Sequence, residues 1–258
     1  MPYLRVGDKQ LEYEWHGPRA DEAPTIVFLH EGLGCVAMWR DVPQRLVEQT
    51  GCGALVYSRA GYGNSDGIEL PRHVRFMHEE ALVTLPQVLD VMKIRQAILL
   101  GHSDGGSIAL IRAGGTKDTT VLGLMLEAPH VFVEETGIDS IRALAEDYLS
   151  GRLRQRLERY HGENVDLTFW GWNDIWLNPA FHSWNIEEYL PQIRVPVLVI
   201  QGLDDQYGSL SQISAIESGC KGPVRTAMLG NCGHSPHLDQ TARTINEITA
   251  FIRQERLT

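Results

Sequence analysis

Residues 97–114 read AILLGHSDGGSIALIRAG. Four apolar residues run into a Gly-His-Ser-Asp-Gly-Gly turn, and a small-residue segment of helical composition leads out of it. A strand that feeds a sharp turn and continues as a helix lifts the central residue, Ser103, to the sheet edge and exposes its hydroxyl. Glycines on either side suit such a turn, because it is strained and neighbouring backbones approach closely. The orphan N–H groups of the exit helix then face any negative charge that develops at Ser103.

The same string pattern occurs earlier, as GNSDG at Gly63–Gly67. There the apolar run Ala54–Ser58 ends several residues before Ser65, and RAGYGNSDG is turn-forming throughout. Pro71 interrupts any helix that would start at the serine. Context therefore selects Ser103 as the candidate nucleophile and leaves Ser65 in a loop.

Outward from Ser103, apolar runs recur at Thr25–His30, Ala54–Ser58, Val121–Ala128 and Val195–Gly202. Runs this continuous predict strands buried on both faces. Helical spacing at Met38–Glu48 and Glu79–Met92 lies between them, and Ile245, Ile248 and Ile252 mark a closing helix. Alternating strands and helices predict an α/β fold with a mostly parallel sheet and helices on both faces. From Pro129 to about Tyr189 no buried strand is evident, and four of the six tryptophans (Trp170, Trp172, Trp176, Trp184) fall inside that stretch. The expected organisation is a core of residues 1–128 and 190–258, with a helical insertion at 129–189. Trp170, Trp172 and Trp176 either hold that insertion together or line an apolar pocket.

Composition narrows the function. A net charge of −10 over 258 residues argues against nucleic acid, which needs clustered Lys and Arg. No run of 18 apolar residues predicts a membrane span, and the opening residues lack signal-peptide character, so a cytoplasmic location is expected. Four scattered cysteines form no disulfide framework or C-x-x-C pair, and ten histidines include no H-E-x-x-H, so no metal is expected. The sequence leaves homo-oligomerisation open.

A lone serine needs a base, and the base needs an orienting acid. QGLDDQYG follows the run Val195–Gly202, and GNCGHSPHLDQ lies further on. Both sit where a strand meets a loop, the edge at which open α/β sheets place their sites. FLHEGLG, SRAGYGNSD, GHSDGG, QGLDD and GHSPHL together resemble the α/β-hydrolase superfamily with a helical cap, over nearly the whole chain outside residues 129–189.

The resemblance implies an α/β-hydrolase fold, with a mostly parallel sheet of about eight strands and an inserted helical cap, and a triad of Ser103, Asp205 and His234, with no cofactor. Asp204, otherwise a residue that shapes its turn, and Glu127 are competing acids, and His237 is a competing base, a packing residue of the last loop or a substrate contact. The x of the elbow, His102, is expected to point away. The implied oxyanion hole joins the N–H of Asp104 to one from the loop after His30, at Gly32 or Leu33. Relatives commonly carry His-Gly-x there, whereas this chain has Glu31, whose charge would repel an oxyanion unless partnered, with Arg59 as the candidate partner. Glu31 and Arg59 also stand as candidate substrate contacts. Arg152, Arg154, Arg156 and Arg159 in GRLRQRLERY form either a solvated face or a lure for a carboxylate-bearing substrate.

The expected reaction is hydrolysis of small carboxylic esters or related acyl compounds through an acyl-enzyme. Cleavage of a C–C bond in a meta-cleavage product, lactone hydrolysis and cofactor-free perhydrolysis use the same triad. A non-catalytic small-molecule receptor is the rival from another class.

Overall fold

The computed structural model describes residues 2–258. Eight strands form one sheet: β1 (Tyr3–Val6), β2 (Lys9–His16), β3 (Thr25–Leu29), β4 (Gly53–Tyr57), β5 (Ala97–His102), β6 (Val121–Glu127), β7 (Val197–Gly202) and β8 (Val224–Leu229). Their order is β1-β2-β4-β3-β5-β6-β7-β8. The first two strands pair antiparallel, and β3 to β8 run parallel.

The apolar runs are buried on both faces as their composition requires. Ile26, Phe28, Val56, Ile98 and Leu100 pack to one side, and Val27, Leu29, Leu55, Tyr57 and Leu99 to the other. Helices α1 (Val42–Thr50) and α10 (Thr241–Gln254), the latter preceded by the single turn α9 (Pro236–Asp239), cover the first face, α10 through Ile245, Ile248 and Ile252. The second face carries α2 (Phe76–Glu79), a π-helical turn at Glu80–Thr84, α3 (Leu85–Val91), α4 (Asp104–Gly115) and α8 (Leu210–Gly219). The strand β8 is an addition to the sequence reading: its residues are mostly half-buried, so PVRTAML carries no continuous apolar run.

Between β6 and β7 the chain leaves the sheet for α5 (Glu135–Leu149), α6 (Arg152–His161) and α7 (Val165–Leu177). Stacked Tyr148 and Phe169, with ring centroids 3.7 Å apart, tie α5 to α7. A single antiparallel bridge, Phe132 with Asn185, closes the base of this excursion.

Candidate active site

The turn after β5 is built as its glycines demand. Ser103 has φ 52° and ψ −117°, a conformation that non-glycine residues rarely adopt. Its N–H donates to the Glu127 carbonyl at 2.9 Å, and its own carbonyl accepts from Gly106 N at 2.8 Å. A Cβ on Gly105 would sit 1.9 Å from the Leu29 carbonyl oxygen, so helix α4 can approach β3 only with glycine there.

Three side chains from three loops converge at this turn. Ser103 Oγ lies 3.0 Å from His234 Nε2, and His234 Nδ1 lies 2.9 Å from each carboxylate oxygen of Asp205. Asp205 also accepts from Tyr207 N and Gln201 Nε2, both at 2.8 Å. Burial alone would raise the Asp205 carboxyl, but the His234 contact and these donors outweigh it and hold the group at about 2. Burial lowers the His234 imidazole, and Asp205 offsets only part of that. At neutral pH the ring is therefore unprotonated at the nitrogen facing Ser103, ready to accept a proton.

A cavity of about 440 Å³ opens beside Ser103 and His234. Its wall includes Glu31, Gly32, Leu33, Asp104, Trp172 and Trp176. Gly34 N donates to the Glu31 carbonyl, closing a turn around Gly32 and Leu33 next to the elbow. A Cβ on Gly32 would fall 2.1 Å from the Trp172 indole, so the ring packs directly on this turn. Asp104 begins α4 and is fully buried, and its carboxylate finds no hydrogen-bond partner among the described residues. Burial lifts that carboxyl to about 6, with Arg59 and Arg72 opposing the rise.

Several expectations require correction. Arg59 does not pair with the Glu31 carboxylate. Its guanidinium donates to the carbonyl oxygens of His30 and Glu31, and it lies buried beneath the turn rather than in the cavity wall. The partner of Glu31 is His102, with Nδ1 3.3 Å from the carboxylate. His102 thus does not point away: its Nε2 lies 2.7 Å from the His234 carbonyl oxygen. His237 is not a cavity residue either. It is buried, with its backbone N and its Nδ1 at 3.0 and 2.8 Å from Glu127 Oε2 and its ring 4.6 Å from that of Trp39. That contact holds Glu127 Oε2, and Glu127 makes no hydrogen bond to His234 among the described residues. Trp170 packs edge-on against Tyr148 and Phe169 and does not line the cavity. Of the α6 arginines, Arg152 pairs with Asp147, and Arg154 with Asp166 and Glu158; Arg156 reaches the cavity wall.

His130 was not anticipated. It lines the cavity, stacks on His234 with centroids 5.6 Å apart, and meets Trp176 edge-on. Burial, then the neighbouring His234, lowers it to about 3, so it is a neutral wall beside the imidazole. Its only signal in the sequence is its place just after β6, at the same sheet edge as the other loops.

Ser65 lies elsewhere. Its hydroxyl donates to the Ser58 carbonyl at 2.7 Å and accepts from Glu12 N at 3.0 Å, within the body of its loop.

A model of the alpha/beta hydrolase family matches residues 26–247. The chain belongs to that family. Among its relatives is a proline iminopeptidase of Lactobacillus delbrueckii subsp. bulgaricus, 22% identical and aligned over 93% of each chain. A bifunctional esterase/perhydrolase of Acinetobacter calcoaceticus is 25% identical over 98% of this chain and 100% of its own. The solved enol-lactonase of Burkholderia xenovorans LB400 superposes with a TM-score of 0.74 at 20% identity, covering 98% of this chain and 100% of that one. This α/β hydrolase has no helix long and apolar enough to cross a membrane among the described residues.

Proposed function

We propose that this α/β hydrolase is a serine hydrolase of small carboxylic esters and related acyl compounds, acting through an acyl-enzyme on Ser103. The observation that carries the reading is the line of contacts from Ser103 Oγ to His234 Nε2 at 3.0 Å and from His234 Nδ1 to Asp205 at 2.9 Å, on the wall of the cavity. On this reading Ser103 Oγ attacks the substrate carbonyl while His234 Nε2 takes its proton. Asp205 keeps the other ring proton on Nδ1 and stabilises the imidazolium. The oxyanion sits between the N–H of Asp104 and that of Gly32 or Leu33. His234 then returns its proton to the leaving group, and water, activated by the same imidazole, releases the acid. The chemistry calls for no cofactor.

Residues 129–189 act as the cap, bringing Trp172 and Trp176 against the acyl group. A narrower reading rests on Arg156: a cation on the cavity wall with no carboxylate within ion-pair distance among the described residues favours acyl groups ending in a carboxylate. The working location is the cytoplasm and the partner a small acyl compound; neither nucleic acid nor a membrane has a role.

The test is turnover of a nitrophenyl ester by the parent and by Ser103→Ala. The variant should lose at least about a thousandfold in kcat. A Ser103→Ala protein as active as the parent would refute the reading. Extending the panel to lactones, a prolyl amide and ring-cleavage dienoates then ranks the acyl groups.

A further inference from the structure

The elbow residue His102 and the unusual acid Glu31 meet directly behind the base. His102 ends β5, and its Nε2 lies 2.7 Å from the His234 carbonyl oxygen, so Nε2 must carry a proton. Its Nδ1 lies 3.3 Å from the Glu31 carboxylate, close enough for an ion pair. An imidazole with an acceptor at each nitrogen is best served as the doubly protonated cation. The ring is fully enclosed, and its centroid is 5.2 Å from that of His234.

We infer that Glu31 and His102 are a charged positioning pair, in which His102 anchors the backbone of His234 and Glu31 balances its charge beside the oxyanion site. The inference rests on the reading of Ser103 and His234 as nucleophile and base. It resolves the difficulty posed by an acid in the oxyanion loop: the negative charge of Glu31 is spent on a neighbouring cation. It also gives His102 two effects on His234. The carbonyl anchor fixes the backbone from which the imidazole reaches Ser103. The positive charge nearby disfavours a second charge on His234 and so keeps it a free base.

Other groups face both rings. Around His102 stand Glu127 at the end of β6, the His237 ring at 5.1 Å and the Trp39 ring at 6.5 Å. Around His234 stand Asp205, the Tyr207 ring at 4.7 Å and the His130 ring at 5.6 Å. Burial alone would lower His102; Glu31 first, then Glu127 and the His234 carbonyl, lift it instead to about 9.

Two near-isosteric variants separate charge from shape. His102→Gln keeps a donor for the His234 carbonyl but leaves Glu31 unbalanced. Glu31→Gln removes the anion and leaves His102 to bear the local charge. The acid limb of the kcat/KM profile should move up by about half a pH unit or more in His102→Gln and down by a similar amount in Glu31→Gln. In His102→Gln, kcat should fall by about tenfold or more, with KM within about threefold, because the unbalanced anion opposes the oxyanion. The double variant should return the limb close to that of the parent. Limbs that stay put, or that move in the same direction in both single variants, overturn the inference.

Proton occupancy of His102 is read without turnover, by nitrogen NMR of histidine-labelled protein. His102 should remain doubly protonated through pH 8 in the parent and lose a proton at lower pH in Glu31→Gln. A neutral His102 at pH 7 in the parent also overturns the pair, whether or not the variants are active. Failure of the underlying reading has a different signature, namely full activity of Ser103→Ala.

Discussion

Replacing Asp205 by asparagine exchanges one oxygen for an N–H₂ and should silence the site. The carboxylate accepts from Tyr207 N on one oxygen and Gln201 Nε2 on the other, and from His234 Nδ1 with both. An amide has one acceptor and one donor, so it must turn an N–H₂ toward either Tyr207 or Gln201. Tyr207 donates from the backbone and cannot retreat; Gln201 is a side chain whose amide also contacts the Gly202 carbonyl and can settle there. The asparagine oxygen therefore faces Tyr207 and its N–H₂ faces Gln201 and His234. His234 Nδ1, 2.9 Å from both positions, then meets a donor beside a neutral acceptor, and whenever it accepts from the N–H₂ its proton sits on Nε2, the nitrogen facing Ser103. A base already protonated toward its nucleophile cannot deprotonate it. The same change in a serine protease triad lowers kcat by about 10⁴, which corresponds to about 5.5 kcal/mol in the barrier. Glu127 does not stand in for Asp205 in this arrangement, because among the described residues it makes no hydrogen bond to His234 and its Oε2 is held by His237. Steady-state hydrolysis of a nitrophenyl ester should thus show kcat down by about 10³ to 10⁴ with KM within about threefold. Retention of more than about a tenth of parental kcat would refute both the tautomer argument and the assignment of Asp205.

Other perturbations separate structure from chemistry. Ser65→Ala removes two buried hydrogen bonds, to the Ser58 carbonyl and from Glu12 N, and should cost about 1–3 kcal/mol in denaturant unfolding while leaving kcat unchanged. Arg156→Ala should raise KM for esters with a distal carboxylate by about tenfold and leave neutral esters within about twofold, as expected for one lost charge contact. The Glu31–His102 pair should also mark the pH dependence of stability. His102 is raised from 6.5 to about 9 on folding, so its contribution is complete below 6.5 and disappears as pH rises through 9. Glu31 is lowered from 4.5, so its contribution is complete above 4.5 and disappears in strong acid. The difference in melting temperature between parent and Glu31→Gln should therefore peak between pH 4.5 and 6.5 and shrink toward pH 9, in calorimetry across that range.

The strands that carry the site loops were legible because they are buried on both faces, which forces unbroken apolar runs at β3 to β7. The edge strand β8 has no such constraint, and Arg225 and Thr226 break its pattern. The elbow was legible for a related reason: a turn that places backbone within 1.9 Å of where a Cβ would sit leaves glycine no substitute. Side-chain direction at the turn was not. His102 is the last residue of β5, where strand alternation gives way to the elbow, and periodicity no longer says which way a ring points. The α7 tryptophans could have been sorted further. Trp172 and Trp176 are four apart and share one helical face, whereas Trp170 is offset by two and turns away. His130 and the pairing of Glu31 depend on how loops fold back over the sheet edge, which local sequence does not encode.

The loop bearing the second Gly-x-Ser-Asp-Gly string has a specific mechanical part. Thr168 Oγ1 donates to the Gly61 carbonyl at 2.7 Å, and Asn164 Nδ2 donates to the Gly63 and Ser65 carbonyls at 3.1 and 2.7 Å. All three contacts come from α7 or the turn leading into it. His161, which ends α6, completes the attachment: its Nδ1 accepts from Gly63 N at 2.9 Å, which forces the ring proton onto Nε2. Nε2 then donates to the Leu33 carbonyl, also at 2.9 Å. One neutral imidazole therefore spans from the Gly63 loop to the turn that presents Gly32 and Leu33 to the cavity. Burial lowers His161, which keeps it in the neutral form this relay requires. A movement of α6 or α7 relative to the sheet cannot leave the Gly32–Leu33 turn undisturbed, because the same side chain is bonded to both. The repeated string is thus two solutions to close backbone approach: at Ser103 it exposes a hydroxyl to the cavity, and at Ser65 it offers carbonyls and an N–H on which the inserted helices are seated.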